Sequence, residues 1–279
     1  MSALSVEELL GLRATEDPNR FNLQVHEGVV TQGGSLQGGA GLGAAVTAMA
    51  ATTGRPLVWA TGHFLRHAAR DACLDLAVAI GVKGHKVTQA AAQLVDSDHE
   101  VLSVVAAFGS RDIGFDHTFV VPPRTAAADA CPLRPEPLLP GWEVRRALGR
   151  DRDELDGSLG PGRSASWFRR PKALGPITPG ELAIIGDCSA LEVSDAVGFA
   201  AVNHSLDNTL RMAQPADTEW VLLDANVASV TNGFASLHAN LWAEDGTLLA
   251  VFSQTLVVRR ADSAGRAIRT TKRYAGGAD

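Results

Sequence analysis

The chain has 279 residues, of which 25 are Lys or Arg and 31 are Asp or Glu, for a formal charge of −6. That balance excludes a protein that binds nucleic acid chiefly through its charge. With 46% apolar and 20% charged residues, the composition is that of a folded chain with a substantial core, in one large domain or two small ones.

At the N-terminus, Ser5 and Glu8 carry a capping-box pattern ahead of a short acidic amphipathic turn, where an export signal would need a basic start and an apolar stretch. Cys73, Cys131 and Cys188 lie far apart, with no CxxC spacing and no histidine placed to complete a zinc site. Neither a disulfide framework nor a structural metal is therefore expected, and a reducing cytoplasm is the natural setting. No charged residue falls between Glu27 and Arg55. Gly, Thr, Ser and Gln fill much of that stretch, so it reads as a helix buried by its own domain and not as a membrane span.

Four strand-like runs follow at 57–67, 73–82, 87–95 and 101–108, with turns at Gly84-His85 and Asp96-Ser97-Asp98. Residues 122–140 are rich in Pro, Ala and Arg, and 149–162 are polar and Gly-rich. Thr178-Pro179-Gly180-Glu181 combines a capping box with proline at the first helical position and opens an apolar helix reaching about Leu191. Four more strand-like runs occupy 204–212, 220–230, 234–243 and 248–259, with Asp245-Gly246 as the last turn signal. This reading gives a first domain over residues 1–121, a linker over 122–162, a second domain over 163–260, and a mobile tail over 261–279.

The two halves repeat one pattern. Gly33 and Gly180 are 147 residues apart, as are Asp98 and Asp245, so one offset aligns helix and hairpin, while Phe64-Leu65-Arg66 faces Thr209-Leu210-Arg211 at 145. A helix followed by four antiparallel strands, duplicated, predicts an α+β double hotdog: a sheet wrapped around a central helix, twice over. Subtraction sets Asp187 against Ala40, Ser205 against Ala60 and Gln254 against Ala107. Three polar residues thus replace alanines in the second copy alone. Asp187 shares the apolar stripe of its helix with Ile184 and Leu191, where an acid is costly unless paired or functional.

Gln32-Gly33-Gly34-Ser35-Leu36-Gln37-Gly38-Gly39 and Phe64-Leu65-Arg66 resemble the first half of the acyl-CoA thioesterase II family. Gly186-Asp187, Ser205-Leu206-Asp207, Asp245-Gly246 and Gln254 resemble its second half. The resemblance implies an acyl-CoA substrate, a double hotdog, no cofactor, and a hydrolytic site of Asp187, Ser205 and Gln254. Thioester hydrolysis needs an oriented, deprotonated water and donors for the carbonyl oxygen. Asp187 can accept from the water, and Ser205 Oγ and the Gln254 amide can hold it in line. Gly33 and Gly34, at the entry to the first helix, are candidate oxyanion donors or simply packing glycines.

Other signals are weaker. Gly39-Ala40-Gly41-Leu42-Gly43-Ala44 lacks the later acid of a dinucleotide site, since the next acid is Asp71. His63 and His67 have i, i+4 spacing without the HExxH glutamate, so no metal is assigned. No GxSxG elbow occurs, and Asp207 reads as ordering the Ser205 turn. The expectation is an enzyme acting on fatty acyl-CoA or a related thioester, independent of nucleic acid and membrane and assembled as a homo-oligomer. A non-catalytic acyl-CoA or acyl-carrier binding hotdog is the alternative. A hotdog hydratase fits less well, because Glu192 stands where its histidine would be needed.

Overall fold

In a computed structural model, the described residues are 4–134, 140–171, 175–262, 266 and 267. The expected tail over 261–279 and Pro135 and Pro137 of the expected linker fall mostly or wholly outside them. Ser5 and Glu8 close the capping box of a short helix, α1 (Val6–Leu10). The first half then contributes β1 (Leu12–Ala14), β2 (Arg20–Gln24), α2 (Gly38–Thr53), β3 (Leu57–Phe64), β4 (Cys73–Lys83), β5 (Val87–Asp96) and β6 (His99–Gly109). The second half contributes β7 (Glu143–Leu148), β8 (Arg163–Arg169), α3 (Pro179–Asp187), α4 (Val193–Val197), β9 (Ala201–Met212), β10 (Trp220–Thr231), β11 (Phe234–Ala243) and β12 (Leu248–Arg260).

All twelve strands form one sheet in the order β1-β2-β4-β5-β6-β3-β9-β12-β11-β10-β8-β7, so the second half repeats the order of the first in mirror sequence. The seam is the antiparallel pair β3–β9, where Thr61 faces Thr209 and their hydroxyls hydrogen-bond at 2.9 Å. Four strands per half were legible from alternation. The structure adds a two-stranded ribbon to each, β1–β2 and β7–β8. Strand β7 lies inside the stretch expected to be linker: Glu143 to Leu148 alternate in burial and pair with β8, a signal masked by the prolines and glycines on either side.

Alternation along β5 buries Thr88, Ala90, Ala92 and Leu94 on one face, and that face covers α2. The second helix forms as expected at its start. Thr178 Oγ1 accepts from the Glu181 N–H, Glu181 Oε2 accepts from the Thr178 N–H, and proline occupies the first turn. It ends at Asp187, earlier than expected, and continues as a 3-10 turn over Cys188–Glu192.

Helices α2 and α3 cross antiparallel at backbone contact, which only glycine permits. A Cβ on Gly39 would stand 2.3 Å from the Ala183 carbonyl oxygen, and one on Gly43 2.6 Å from that of Gly180. The small residues of the uncharged stretch thus serve a helix–helix contact inside one sheet. No helix among the described residues is long and apolar enough to cross a membrane.

Candidate active site

Asp187, Ser205 and Gln254 come together, as expected, and they do so where α3, β9 and β12 meet the start of α2. Asp187 closes α3 and is 8% exposed. Its Oδ1 accepts from Ser205 Oγ at 3.2 Å and from Asn208 Nδ2 at 2.8 Å. Its Oδ2 accepts from the Gly39 N–H at 3.0 Å, across the helix crossing. Burial pushes the Asp187 carboxyl above the ordinary carboxylate range, and the hydrogen bonds from Asn208, Gly39 and Ser205 pull against that shift.

Gln254 is 2% exposed. Its Oε1 accepts from Ser205 Oγ at 3.0 Å, while Nε2 donates to Ser189 Oγ at 2.8 Å and to the Asp187 carbonyl at 3.3 Å. Ser189 Oγ in turn donates to the Gly186 carbonyl at 2.6 Å. Both amide hydrogens are therefore occupied by protein acceptors, and Gln254 holds Ser205 instead of presenting a free donor. Ser205 is half-buried, and its single hydrogen is shared between Asp187 Oδ1 and Gln254 Oε1.

Ser205 and Asn208 both reach the inner face of the sheet because the β9–β12 ladder slips by one residue between them. Gln254 pairs with Asn208 and Thr255 with Asp207, but Leu256 pairs with Ser205. On a regular strand, residues three apart face opposite sides; the extra residue, Leu206, restores the phase. Asp207 sits at this bulge on the outer face, and its Oδ1 accepts the Thr255 N–H at 3.0 Å. It therefore orders the Ser205 segment, and Asn208 escaped the sequence reading because a bulge leaves no mark in composition.

The repeat alignment changes in the same light. In β3–β6, Leu57 pairs with Phe108, Trp59 with Ala107 and Ala60 with Ala106, around an equivalent slip. Ser205 therefore corresponds to Leu57, Asn208 to Ala60, and Gln254 to Ala106 in place of Ala107. Counted from the helix starts, Asp187 corresponds to Val46 and not to Ala40. The offset of 147 holds at the turn that carries Asp98 and Asp245, becomes 148 on β9 and β12, and fails for the helices.

Gly33 and Gly34 lie outside this network. Helix α2 starts at Gly38, so they occupy the turn before it, with Gly33 exposed and the Gly34 N–H donating to the Thr31 carbonyl at 2.9 Å. The helix-terminal donor beside Asp187 is Gly38. Its N–H has no acceptor among the described residues, and a Cβ there would stand 3.4 Å from Asp187 Oδ2 and 2.9 Å from the Phe64 ring. Gln37 Oε1 accepts from the Ala40 N–H, and its Nε2 reaches the Ile184 carbonyl at 3.1 Å. His63 and His67 are exposed, and among the described residues no three His, Cys, Asp or Glu side chains are grouped to hold a metal.

Residues 122–258 match the family model of the acyl-CoA thioesterase C-terminal domain. The C-terminal half is thus similar to an acyl-CoA thioesterase domain. Solved structures extend the likeness over the chain. A candidate thioesterase from Novosphingobium aromaticivorans is 28% identical, with a TM-score of 0.79 over 88% of this chain and 98% of that one. A hot dog fold protein of unknown function from Alicyclobacillus acidocaldarius is 18% identical, with a TM-score of 0.78 over 92% and 98%. An acyl-CoA thioesterase II from Mycobacterium marinum is 21% identical, with a TM-score of 0.71 over 93% and 100%. The last two show the fold, a double hotdog. No curated protein matches the chain by sequence. The thioesterase domain and this fold place the protein among the thioester hydrolases.

Proposed function

We propose that the protein hydrolyses a fatty acyl-CoA, or a closely related acyl thioester, to the free acid and CoA by direct attack of water. The observation that carries this reading is the buried Asp187 carboxylate, whose oxygens are held by Gly39, Ser205 and Asn208 next to the Gly38 N–H, which has no acceptor among the described residues. In the proposed reaction, Asp187 takes a proton as the water oxygen bonds to the carbonyl carbon. The carbonyl oxygen gains negative charge and is received by the Gly38 N–H at the start of α2, where the helix dipole also favours an anion. When the C–S bond breaks, the proton on Asp187 passes to the departing sulfur. Ser205 orients the carboxylate and the water, and Gln254 holds Ser205. Gly38 replaces Gly33 and Gly34 in this account, because the Gly34 N–H is already used within its turn.

A buried base must be ionised to act, and burial raises its pKa. Activity is therefore expected to fall on the acid side at a pH above the ordinary carboxylate range, as Asp187 becomes protonated. CoA release from an acyl-CoA panel, followed with a thiol reagent across pH, tests both parts. Turnover in wild type that disappears in Asp187→Ala is expected. Ligand binding without turnover at any chain length would instead make the protein a binding module. The three cysteines, all free, suit a cytoplasmic setting for this reaction.

A further inference from the structure

Asn208 is fully buried at 0% exposure, and its Nδ2 makes the shortest of the three contacts to the Asp187 carboxylate, at 2.8 Å. Its Oδ1 is buried without a donor among the described residues. A half-satisfied buried amide opposes folding, and Ala60 at the corresponding place in the first half is fully buried too. The fold itself therefore does not ask for an amide here. Asp187 does. Among the described residues, the elements packed on it bring no cation: Gln37 caps α2 and Gly38 and Gly39 begin it, Ser205 comes from β9 and Gln254 from β12. Cys188, next in the chain, has its thiol pushed up by burial and stays neutral. Glu192, further on, is taken by Arg134 and Arg146.

The three donors are not equivalent. Gly39 serves Oδ2 alone. Ser205 has one hydrogen for two acceptors, Asp187 Oδ1 and Gln254 Oε1, so Oδ1 holds it only part of the time. Asn208 is the donor that Oδ1 always has. Resting on the reading of Asp187 as the base, we propose that Asn208 is a positioning residue that keeps the Asp187 carboxylate charged and aimed at the water.

The test compares wild type with Asn208→Leu, of similar size, and Asn208→Ala, which leaves room for a water to take the donor's place. Two measurements are made: the pH profile of kcat/KM, and the titration of Asp187 itself by carboxyl ¹³C NMR with Asp187→Asn to assign the signal. Losing a hydrogen bond to a charged group should move the acid limb of Asn208→Leu upward by about one pH unit or more. Asn208→Ala should move it less, and kcat on the high-pH plateau should fall less than about tenfold. An Asp187 titration that moves while the activity limb does not would uphold the role of Asn208 and remove Asp187 as the base. A titration unmoved in both variants overturns the proposal, whatever happens to kcat. Should the leucine variant not fold, the alanine variant carries the same two readings.

Discussion

The two halves of the molecule share a sheet order, a helix and even a bulge, yet the second sets an acid, a hydroxyl and two amides together where the first has apolar side chains. In the first, the bulged strand turns Leu57 and Ala60 inward, and they share one buried apolar core with Val46 and Ala106. In the second, the same backbone places turn Ser205 and Asn208 inward to meet Asp187 and Gln254. The bulge that turns these positions inward is thus common to both halves, while the side chains it carries differ, as does the helix, which runs past Val46 in the first half and ends at Asp187 in the second. The halves are not independent, because the Gly39 N–H on the Asp187 carboxylate comes from the first copy.

This contrast can be broken most severely at its centre. Asp187→Ala removes the proposed general base and should lower kcat/KM by about 10²- to 10⁴-fold, measured by CoA release. Ser205→Ala leaves the carboxylate but releases its alignment, and a loss of about tenfold or more in kcat with little change in KM is expected from a hydrogen bond to a charged group. Importing the polar side of the contrast into the first half should damage stability only. Ala60→Asn would bury an amide with no partner and lower unfolding stability by about 1–3 kcal/mol in urea titration, with kcat unchanged per folded molecule. The mildest effect is expected at Asp207, which holds the bulge from outside. Asp207→Ala should cost kcat a few-fold, Asp207→Asn less because it can still accept the Thr255 N–H, and neither should cost anything further in the Ser205→Ala background. A full multiplicative loss in that double variant would detach Asp207 from Ser205.

Much of the fold was legible because its signals are local. Eight strands announced themselves by alternation, and the second helix by Thr178, Pro179 and Glu181. The duplication followed from repeating spacings. The ribbons β1–β2 and β7–β8 were missed because strands of 3 to 7 residues amid turns carry too little alternation to count. Asp187, Ser205 and Gln254 were legible as polar residues where apolar ones were due and through their family resemblance. Asn208 was not, since strand periodicity pointed it away from Ser205. Gly33 and Gly34 were read as the entry to the first helix, which begins at Gly38, because a glycine-rich run does not reveal which residue begins the helix.

The ladder between β3 and β9 leaves the protein without an internal border. Hydrogen bonds run unbroken from one outer ribbon to the other, and the two threonine hydroxyls close the gap on the pseudo-symmetry axis. Each copy on its own would expose a naked, hydrogen-bond-hungry margin and aggregate through it. The duplicated chain is thus compelled to melt as a single cooperative unit, and after a cut in the connecting segment its fragments would stay clasped until denaturant separates them.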